Sequence, residues 1–155
     1  MVVSDTSPIC YLLLINRIDI LPTLYKTVII PQAVAGELKA PESPPAVKSW
    51  IARPPNWLQI QSIELSQDIE IEKLDLGERQ AIALAERLKA DLVILDDRAG
   101  RLIAAKRGLK IIGVLGIVKN AAGSGLLDLE ATFQQLQNAG FWVKPSLLER
   151  LVSDD

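Results

Sequence analysis

Short apolar runs alternate along the chain with longer stretches in which apolar residues recur at helical spacing. The runs that predict strands cover residues 1–4, 27–30, 58–63, 92–95 and 109–114. Strands separated by helices are typical of a parallel sheet that carries helices on both faces. We therefore expect an α/β fold with three layers, α/β/α, around a four- or five-stranded, mainly parallel sheet. The strict alternation of apolar and polar residues over 58–63 predicts an edge strand.

Helices are predicted between these strands by apolar spacing and by residues that begin or end helices. Ser7 and Pro8 suit an N-cap and a first helical position, so they should begin a helix that reaches Ile15. The stretch from Asp75 to Lys89 has the strongest helical pattern of the chain. The other predicted helices cover 18–25, 32–39, 43–51, 98–107, 115–122, 129–138 and 146–152.

No internal repeat, low-complexity tract or long linker divides the sequence. The chain has 155 residues, 49% of them hydrophobic, which suits one domain with its own core. We expect a single domain over 1–155, in which 141–155 forms a C-terminal tail or helix that packs on the core or on a partner. We expect core or interface packing for the aromatic residues Trp50, Trp57, Phe141 and Trp142.

The composition excludes several kinds of catalytic site. Histidine is absent and Cys10 is the only cysteine, so Ser-His-Asp and Cys-His nucleophilic sites and histidine-bound zinc are ruled out. Carboxylates, lysines, hydroxyls and metal ions that prefer oxygen ligands remain. The chain has 17 basic and 19 acidic residues, so no global positive field attracts nucleic acid.

The apolar run at 9–15 is too short to cross a bilayer, which takes about 20 residues. Asp5 precedes this run and no lysine or arginine does, so the pattern does not indicate a signal peptide. We therefore expect a cytoplasmic protein without a membrane segment.

Carboxylates directly follow two of the predicted strands. Asp5 follows the first strand, and Asp96 and Asp97 follow the strand at 92–95. Since the carboxyl ends of parallel strands meet at one edge of the sheet, these acids should lie close together. Each alone could be a turn or N-cap residue, but acids gathered at one edge repel one another unless a cation lies between them.

Two glutamates are further candidates, although each also has a purely structural interpretation. Glu37 lies late in a short helix, where an acid is usually solvated; Gly36 beside it costs about 1 kcal/mol relative to alanine and hints at a close approach. Glu78 and Asp75 have the spacing of a capping box, which favours a capping role for Glu78. Gly77 is not needed for capping and could let a metal ion or phosphate approach the backbone.

Taken in order, these motifs resemble the PIN-domain ribonucleases. The closest likeness is to the bacterial and archaeal VapC-type toxins and their relatives that open with Asp-Thr-Ser-Pro, and it spans about 1–145. The resemblance rests on Asp5-Thr6-Ser7-Pro8, Glu37 in a proline-led helix, Gly77-Glu78 at the start of an alanine-rich helix, and Asp96-Asp97-Arg98 after a buried strand.

The resemblance implies an endoribonuclease in which four acids hold Mg²⁺ or Mn²⁺ and single-stranded RNA is hydrolysed. By position the four acids are Asp5, Glu37, Glu78 and Asp96; the choice between Asp96 and its neighbour Asp97 as metal ligand stays open. On this basis Asp5 and Asp96 bind the principal ion, while Glu37 and Glu78 bind a second ion or orient its water.

The same resemblance indicates a hydroxyl that supports the first acid, and it shows two positions at which this chain differs from the family pattern. Thr6 or Ser7 resembles the family's hydroxyl beside the first acid. The third acid, usually Asp, is here Glu78, and Ile94 stands where the family often has threonine two residues before the fourth acid.

The resemblance also implies partners, namely a small antitoxin protein that blocks the acidic site and a second copy of the chain in a homodimer. Arg98 and Arg101 are candidates for contact with RNA phosphates, and pairing of Arg101 with Asp97 is an equal alternative. Activity on DNA stays open, since no residue can be tied to a 2′-hydroxyl.

Other functions remain to be weighed against this one. A response-regulator receiver would place its acid pair after the first strand, and a haloacid-dehalogenase phosphatase would need Asp-x-Asp there; Asp5-Thr6-Ser7 fits neither. The serious alternative is a catalytically degenerate PIN-like module that binds RNA or a protein.

Overall fold

The computed structural model of the chain describes residues 1–68 and 70–141. The helix predicted at 146–152, Trp142 and all but the first residue of the segment 141–155 therefore lie outside the described residues. The strands are β1 (Val2–Ser4), β2 (Val28–Pro31), β3 (Leu58–Gln61), β4 (Leu92–Ile94) and β5 (Ile111–Ile112).

These strands form one sheet in the order β3-β2-β1-β4-β5, and every pairing is parallel. The first strand of the chain is therefore the central strand, between β2 and β4. The strand order reverses at β1, so the point at which open α/β sheets usually bind ligands lies at its carboxyl end. As predicted, β3 is an edge strand.

Helices cover both faces of this sheet. They are α1 (Thr6–Leu14), α2 (Ile20–Tyr25), α3 (Gln32–Lys39), α4 (Pro45–Ala52), α5 (Leu76–Leu88), α6 (Arg98–Lys106), α7 (Val114–Gly123) and α8 (Leu129–Asn138), with a 3₁₀ turn at Ile71–Lys73. In the described ranges no helix is long and apolar enough to span a membrane.

Two apolar clusters, one on each face, confirm the three-layer α/β/α arrangement. Alternation along β2 sends Val28 and Ile30 to one face and Ile29 to the other. On the first face these side chains meet Ile9, Leu12, Val34, Leu38, Ile117 and Phe133 from four helices. On the second face, Ile29 packs with Ile82, Leu84 and Ala104 from α5 and α6. Full burial of such a side chain contributes roughly 1.5–3 kcal/mol.

The first helix begins earlier than predicted. Its N-cap is Asp5, which has extended backbone angles, so the prediction of Ser7 as the N-cap was wrong. Because β1 passes directly into α1, Pro8 lies in the first turn, where a missing N–H costs no intrahelical bond. The early start places the Asp5 side chain at the carboxyl edge of the sheet rather than in a loop.

The 3₁₀ turn at Ile71–Lys73 was not predicted, and Arg107 ties the residues just before it to the rest of the fold. The Arg107 guanidinium forms ion pairs with Asp68 at 2.6 Å, Glu70 at 3.0 Å and Glu86 at 2.7 Å. A single cation at the end of α6 therefore joins this segment to α5.

Candidate active site

A cleft of about 700 Å³ lies at the carboxyl ends of β1 and β4. All the acids predicted for the site line it, together with Thr6, Ser7 and one further acid, Asp75. The carboxylates come from four segments of the chain: Asp5 after β1, Glu37 on α3, Asp75 and Glu78 at the start of α5, and Asp96 and Asp97 after β4.

Asp5 lies at the base of the cleft, buried to all but 6% of its surface. Its backbone N–H donates to the carbonyl oxygen of Ile94 at 2.9 Å, which fixes the end of β1 against β4. Its Oδ1 atom is buried and has no hydrogen-bond partner among the described residues. The pKa of Asp5 is raised to about 7: burial is the main cause, the charges of Asp75 and Glu37 add to the shift, and the N–H of Thr6 opposes it.

Glu78 points into the same cleft and is 7% exposed. Asp75 caps α5 by accepting from the Glu78 backbone N–H at 2.9 Å. Glu78 Oε2 is buried without a hydrogen-bond partner in the part of the chain described, and no bond from the Asp75 N–H to the Glu78 side chain is observed there, so the reciprocal half of the capping box does not form. Burial and the adjacent carboxyl of Asp75 raise the pKa of Glu78 well above its ordinary range.

Glu37 is held by a hydroxyl and accommodated by a glycine. The Thr6 hydroxyl donates to Glu37 Oε2. A Cβ atom at Gly77 would lie 2.7 Å from Glu37 Oε1, so this glycine makes room for a carboxylate rather than for a metal ion or phosphate. Nothing lies within 4 Å of the corresponding position at Gly36, so the close approach suggested there was wrong.

The two neighbouring aspartates after β4 have different surroundings. The N–H of Val114 donates to Asp96 Oδ1 at 3.2 Å and to Oδ2 at 3.3 Å. Asp96 thus provides a hydrogen-bond acceptor for the first residue of α7, whose N-cap, Gly113, has no side chain that could do so. Burial raises the pKa of Asp96, while the Val114 N–H and the charge of Arg101 oppose that shift. Asp96 thus already has compensating partners.

Asp97 is exposed and caps α6 by accepting from the N–H of Gly100 at 3.0 Å. This bond uses its Oδ2 atom. The charge of Asp97 contributes to the raised pKa of both Asp5 and Glu78. Its carboxylate therefore acts electrostatically on the two buried acids of the cleft.

Gln80 is a positioning residue that sequence reasoning missed. The N-cap of α3 is Pro31, which provides no side-chain cap. Instead the N–H of Ala33 donates to Gln80 Oε1 at 2.9 Å. This bond joins α3 to α5 and so fixes Glu37 relative to Glu78. Since the two residues lie 47 positions apart, no local pattern could have indicated the contact.

The two predicted phosphate contacts lie on the first turns of α6. Arg98 is exposed, and Arg101 donates to the carbonyl oxygen of Leu95 at 3.3 Å. No ion pair forms between Arg101 and Asp97 in the described ranges, so that alternative is not observed. Arg107 is held by three carboxylates at the far end of α6 and is not available to the cleft.

One wall of the cleft is apolar and partly aromatic. The Tyr11 and Phe141 rings lie 5.0 Å apart at 83°, an edge-to-face pair. Phe141 packs against the first apolar cluster, as predicted, and also lines the cleft. The apolar side of the cleft is lined by Cys10, Tyr11, Leu14, Ala139, Gly140 and Phe141.

The donor set of the cleft fits a hard divalent cation. Carboxylate oxygens are the preferred ligands of Mg²⁺, and the unpartnered oxygens of Asp5 and Glu78 are groups that a cation would satisfy. Within 1–68 and 70–141 no three acidic or cysteine side chains by themselves enclose a metal position. Mg²⁺ usually takes one or two carboxylates and keeps several waters, so such an enclosure is not required.

Comparison with known proteins adds one finding. A protein-family model described as a PIN domain matches residues 1–154. A search of curated proteins and a search of solved structures gave no significant match.

Proposed function

The chain belongs to the PIN-domain family, whose members are generally nucleases, and we propose that it is a metal-dependent endoribonuclease acting on single-stranded RNA. The observation that carries the proposal is the pair of buried carboxylates, Asp5 and Glu78, each with an oxygen that has no protein partner in the described chain. Uncompensated buried acids are costly to a fold, and they cluster where a site needs them.

Mg²⁺ or Mn²⁺ is the proposed cofactor. When bound, such an ion lowers the pKa of a water molecule and neutralises charge on the phosphate oxygens. Asp5, Glu78 and Asp97 are the residues proposed to hold it, because the first two are unpartnered and the third acts on both. Asp96, predicted as a principal ligand, is assigned instead to positioning, since it is engaged with the N-terminus of α7.

Glu37 is proposed to orient water at the reacting phosphodiester. The Thr6 hydroxyl donates to one of its oxygens, and the residue lines the cleft. Asp75 adds negative charge beside Glu78 and thereby favours retention of a cation. Ser7 also lines the cleft and is proposed as a supporting hydroxyl.

Arg98 and Arg101 are proposed as phosphate contacts. Arg98 is exposed at the start of α6, next to Asp97, where a nucleic acid strand entering the cleft would pass. Arg101 donates to the carbonyl oxygen of Leu95, which holds its guanidinium beside the end of β4. Both would supply local positive charge in a chain with a net charge of −2.

The toxin role, a small antitoxin partner, a homodimer and a cytoplasmic location are proposed from the resemblance to VapC-type toxins. Two exposed leucines, on α5 and α6, are proposed as contacts for a partner. Leu76 at the start of α5 is 46% exposed and Leu102 on α6 is 58% exposed.

A non-catalytic RNA- or protein-binding module is the second candidate. Two observations favour it: Ile94, fully buried, supplies no hydroxyl near the acids, and the described acids do not by themselves enclose a metal position. The two functions differ in whether a divalent ion binds with these carboxylates as ligands.

The test is a calorimetric titration of Mn²⁺ into the wild type and Asp5→Asn, followed by cleavage assays on single-stranded RNA and DNA. Asp128→Asn is the matched control, because Asp128 caps α8 away from the cleft and asparagine caps equally well. We expect binding and cleavage in the wild type and control and their loss in a folded Asp5→Asn protein. Full activity of Asp5→Asn would end the assignment, and absence of both binding and cleavage in the wild type would favour the second candidate.

A further inference from the structure

The apolar wall of the cleft begins directly beside the acids. Asp5 is the N-cap of α1, and Ser7, Cys10, Tyr11 and Leu14 follow at intervals that place them on one side of the helix. At 1.5 Å per residue this side extends about 13 Å from the acid to Leu14. A substrate whose phosphate lies at the carboxylates would therefore bring its neighbouring groups against this wall.

Phe141 is set into the wall by the end of α8. Gly140 adopts a positive φ of 99°, a conformation that favours glycine. The N–H of Phe141 then donates to the carbonyl oxygen of Leu136 at 2.9 Å, and the N–H of Gly140 to that of Gln137 at 3.0 Å. This helix termination fixes the backbone of Phe141, so its ring meets Tyr11 edge to face at 5.0 Å. The aromatic pair is built into the fold.

The wall remains partly open to solvent although it is apolar. Leu14 is 42% exposed, and Tyr11 and Phe141 are half-buried. Burial of these side chains against a ligand would be favourable at roughly 25 cal/mol per Å². The cleft volume, about 700 Å³, is in the range of pockets that bind ligands of nucleotide size.

We propose that Tyr11, Leu14 and Phe141 form a subsite for an unpaired nucleobase next to the scissile phosphodiester. The inference rests on the proposed nuclease function and adds how the substrate is bound. A base offers a flat, uncharged π face, which matches an aromatic and apolar wall, whereas its phosphate belongs at the acidic side. A base paired within a duplex is already stacked, so the subsite would favour single-stranded substrates.

The experiment measures single-turnover cleavage of a single-stranded RNA oligonucleotide, with Mn²⁺ present, and of versions that lack the base on either side of the cleaved bond. Stacking on an aromatic side chain contributes about 1–3 kcal/mol per base, so removal of the correct base should slow the wild type roughly 5- to 150-fold. The Tyr11→Leu and Phe141→Leu proteins should lose most of that sensitivity. Tyr11→Phe should keep it.

Within one protein, we compare the cleavage rate of the intact oligonucleotide with that of the oligonucleotide that lacks the base. The ratio of these rates separates base recognition from folding, because a loss of folded protein lowers both rates equally. Trp50→Leu is the matched control, since Trp50 packs on Trp57 at 5.8 Å and does not line the cleft; its ratio should equal that of the wild type. If the wild type cleaves the oligonucleotide equally fast with and without the base, the subsite alone is overturned. The same holds if Tyr11→Leu and Phe141→Leu keep the wild-type ratio. No cleavage by the wild type would overturn the proposed function and the subsite with it.

Discussion

The carboxylate of Glu37 occupies the space where a side chain at position 77 would stand. A Cβ atom on Gly77 would lie 2.7 and 2.8 Å from the two carboxylate oxygens of Glu37, closer than such atoms approach in proteins. The glycine in the first turn of α5 is thus explained by an acid on α3. The two helices are joined a second time by the bond from Ala33 to Gln80.

Gly77→Ala should therefore impair activity without unfolding the protein. The added methyl group would displace the flexible end of Glu37, which costs little stability, while alanine favours the helix by about 1 kcal/mol. We expect a fall in the cleavage rate of at least tenfold with an unchanged or higher melting temperature. Gly36→Ala is the control: nothing lies within 4 Å of its added atom, so the activity should persist. Equal activities of the two variants would contradict the role given to Gly77.

Asp5→Asn should stabilise the metal-free protein, and the gain should depend on pH. Burial raises the pKa of Asp5 in the folded state to about 7, above the unfolded value near 4. An acid of this kind weakens folding as the pH rises from about 4 to 7. With a chelator present we expect a gain of about 1–3 kcal/mol at pH 8, shrinking towards pH 4.

Chemical denaturation of both proteins between pH 4 and 8 measures this effect. Addition of Mn²⁺ at pH 8 should then stabilise the wild type and not Asp5→Asn, because a ligand that binds only the folded state stabilises it. A gain that is the same at every pH would show that the charge of Asp5 is not its cause.

Asp97→Asn should weaken metal binding more than Asp96→Asn does. Asparagine keeps the N-cap bond of Asp97 to Gly100 and the acceptor that Asp96 offers to Val114, so both variants should fold. Of these two aspartates, only Asp97 is proposed to hold the ion. We expect the Mn²⁺ affinity to fall by about 10- to 100-fold in Asp97→Asn and less than tenfold in Asp96→Asn, as measured by calorimetry; the reverse order would reassign the two residues.

Arg98→Ala should lower RNA affinity and its dependence on salt. Loss of one phosphate contact to a single strand reduces the slope of log K against log salt by about 0.7. Fluorescence anisotropy in a series of salt concentrations measures that slope. Arg53→Ala, which removes an exposed arginine at the end of α4, should leave it unchanged. If both variants bind as the wild type does, Arg98 does not contact phosphate.

Arg107→Met should destabilise the protein and leave metal binding intact. The guanidinium forms ion pairs with three acids, and its removal would leave Asp68, Glu70 and Glu86 without their shared cation. We expect a lower midpoint in urea and an unchanged Mn²⁺ affinity. A loss of Mn²⁺ binding in a folded variant would show that the segment before α5 shapes the cleft.

The fold could be predicted well because its signals are local. Buried parallel strands are continuous apolar runs, and the bounds predicted for the helices 32–39 and 129–138 agree with α3 and α8. The 3₁₀ turn at Ile71–Lys73 was missed, because its anchoring depends on Arg107, more than 30 residues away. A contact between residues so far apart in the sequence produces no periodic pattern of apolar residues.

The sequence predicted most of the acids that line the cleft, but not which contacts each of them makes. The positions of the acids at strand ends and helix starts bring them into one cleft, as strand topology requires. The sequence could not separate Asp96 from Asp97, because the difference depends on the N-terminus of α7 reaching Asp96. For the same reason Asp75 was interpreted only as a cap, although its carboxyl also lies beside Glu78.

The central position of β1 has a consequence for the order of events during synthesis. β1 leaves the ribosome before both of its sheet neighbours, and β4, which completes its pairing, follows almost 90 residues later. Asp5 and Asp97 can meet only after that second strand has paired. A nascent chain therefore cannot assemble the cleft until β4 and the start of α6 have left the ribosome, so any cleavage activity would be withheld from the growing polypeptide until that point.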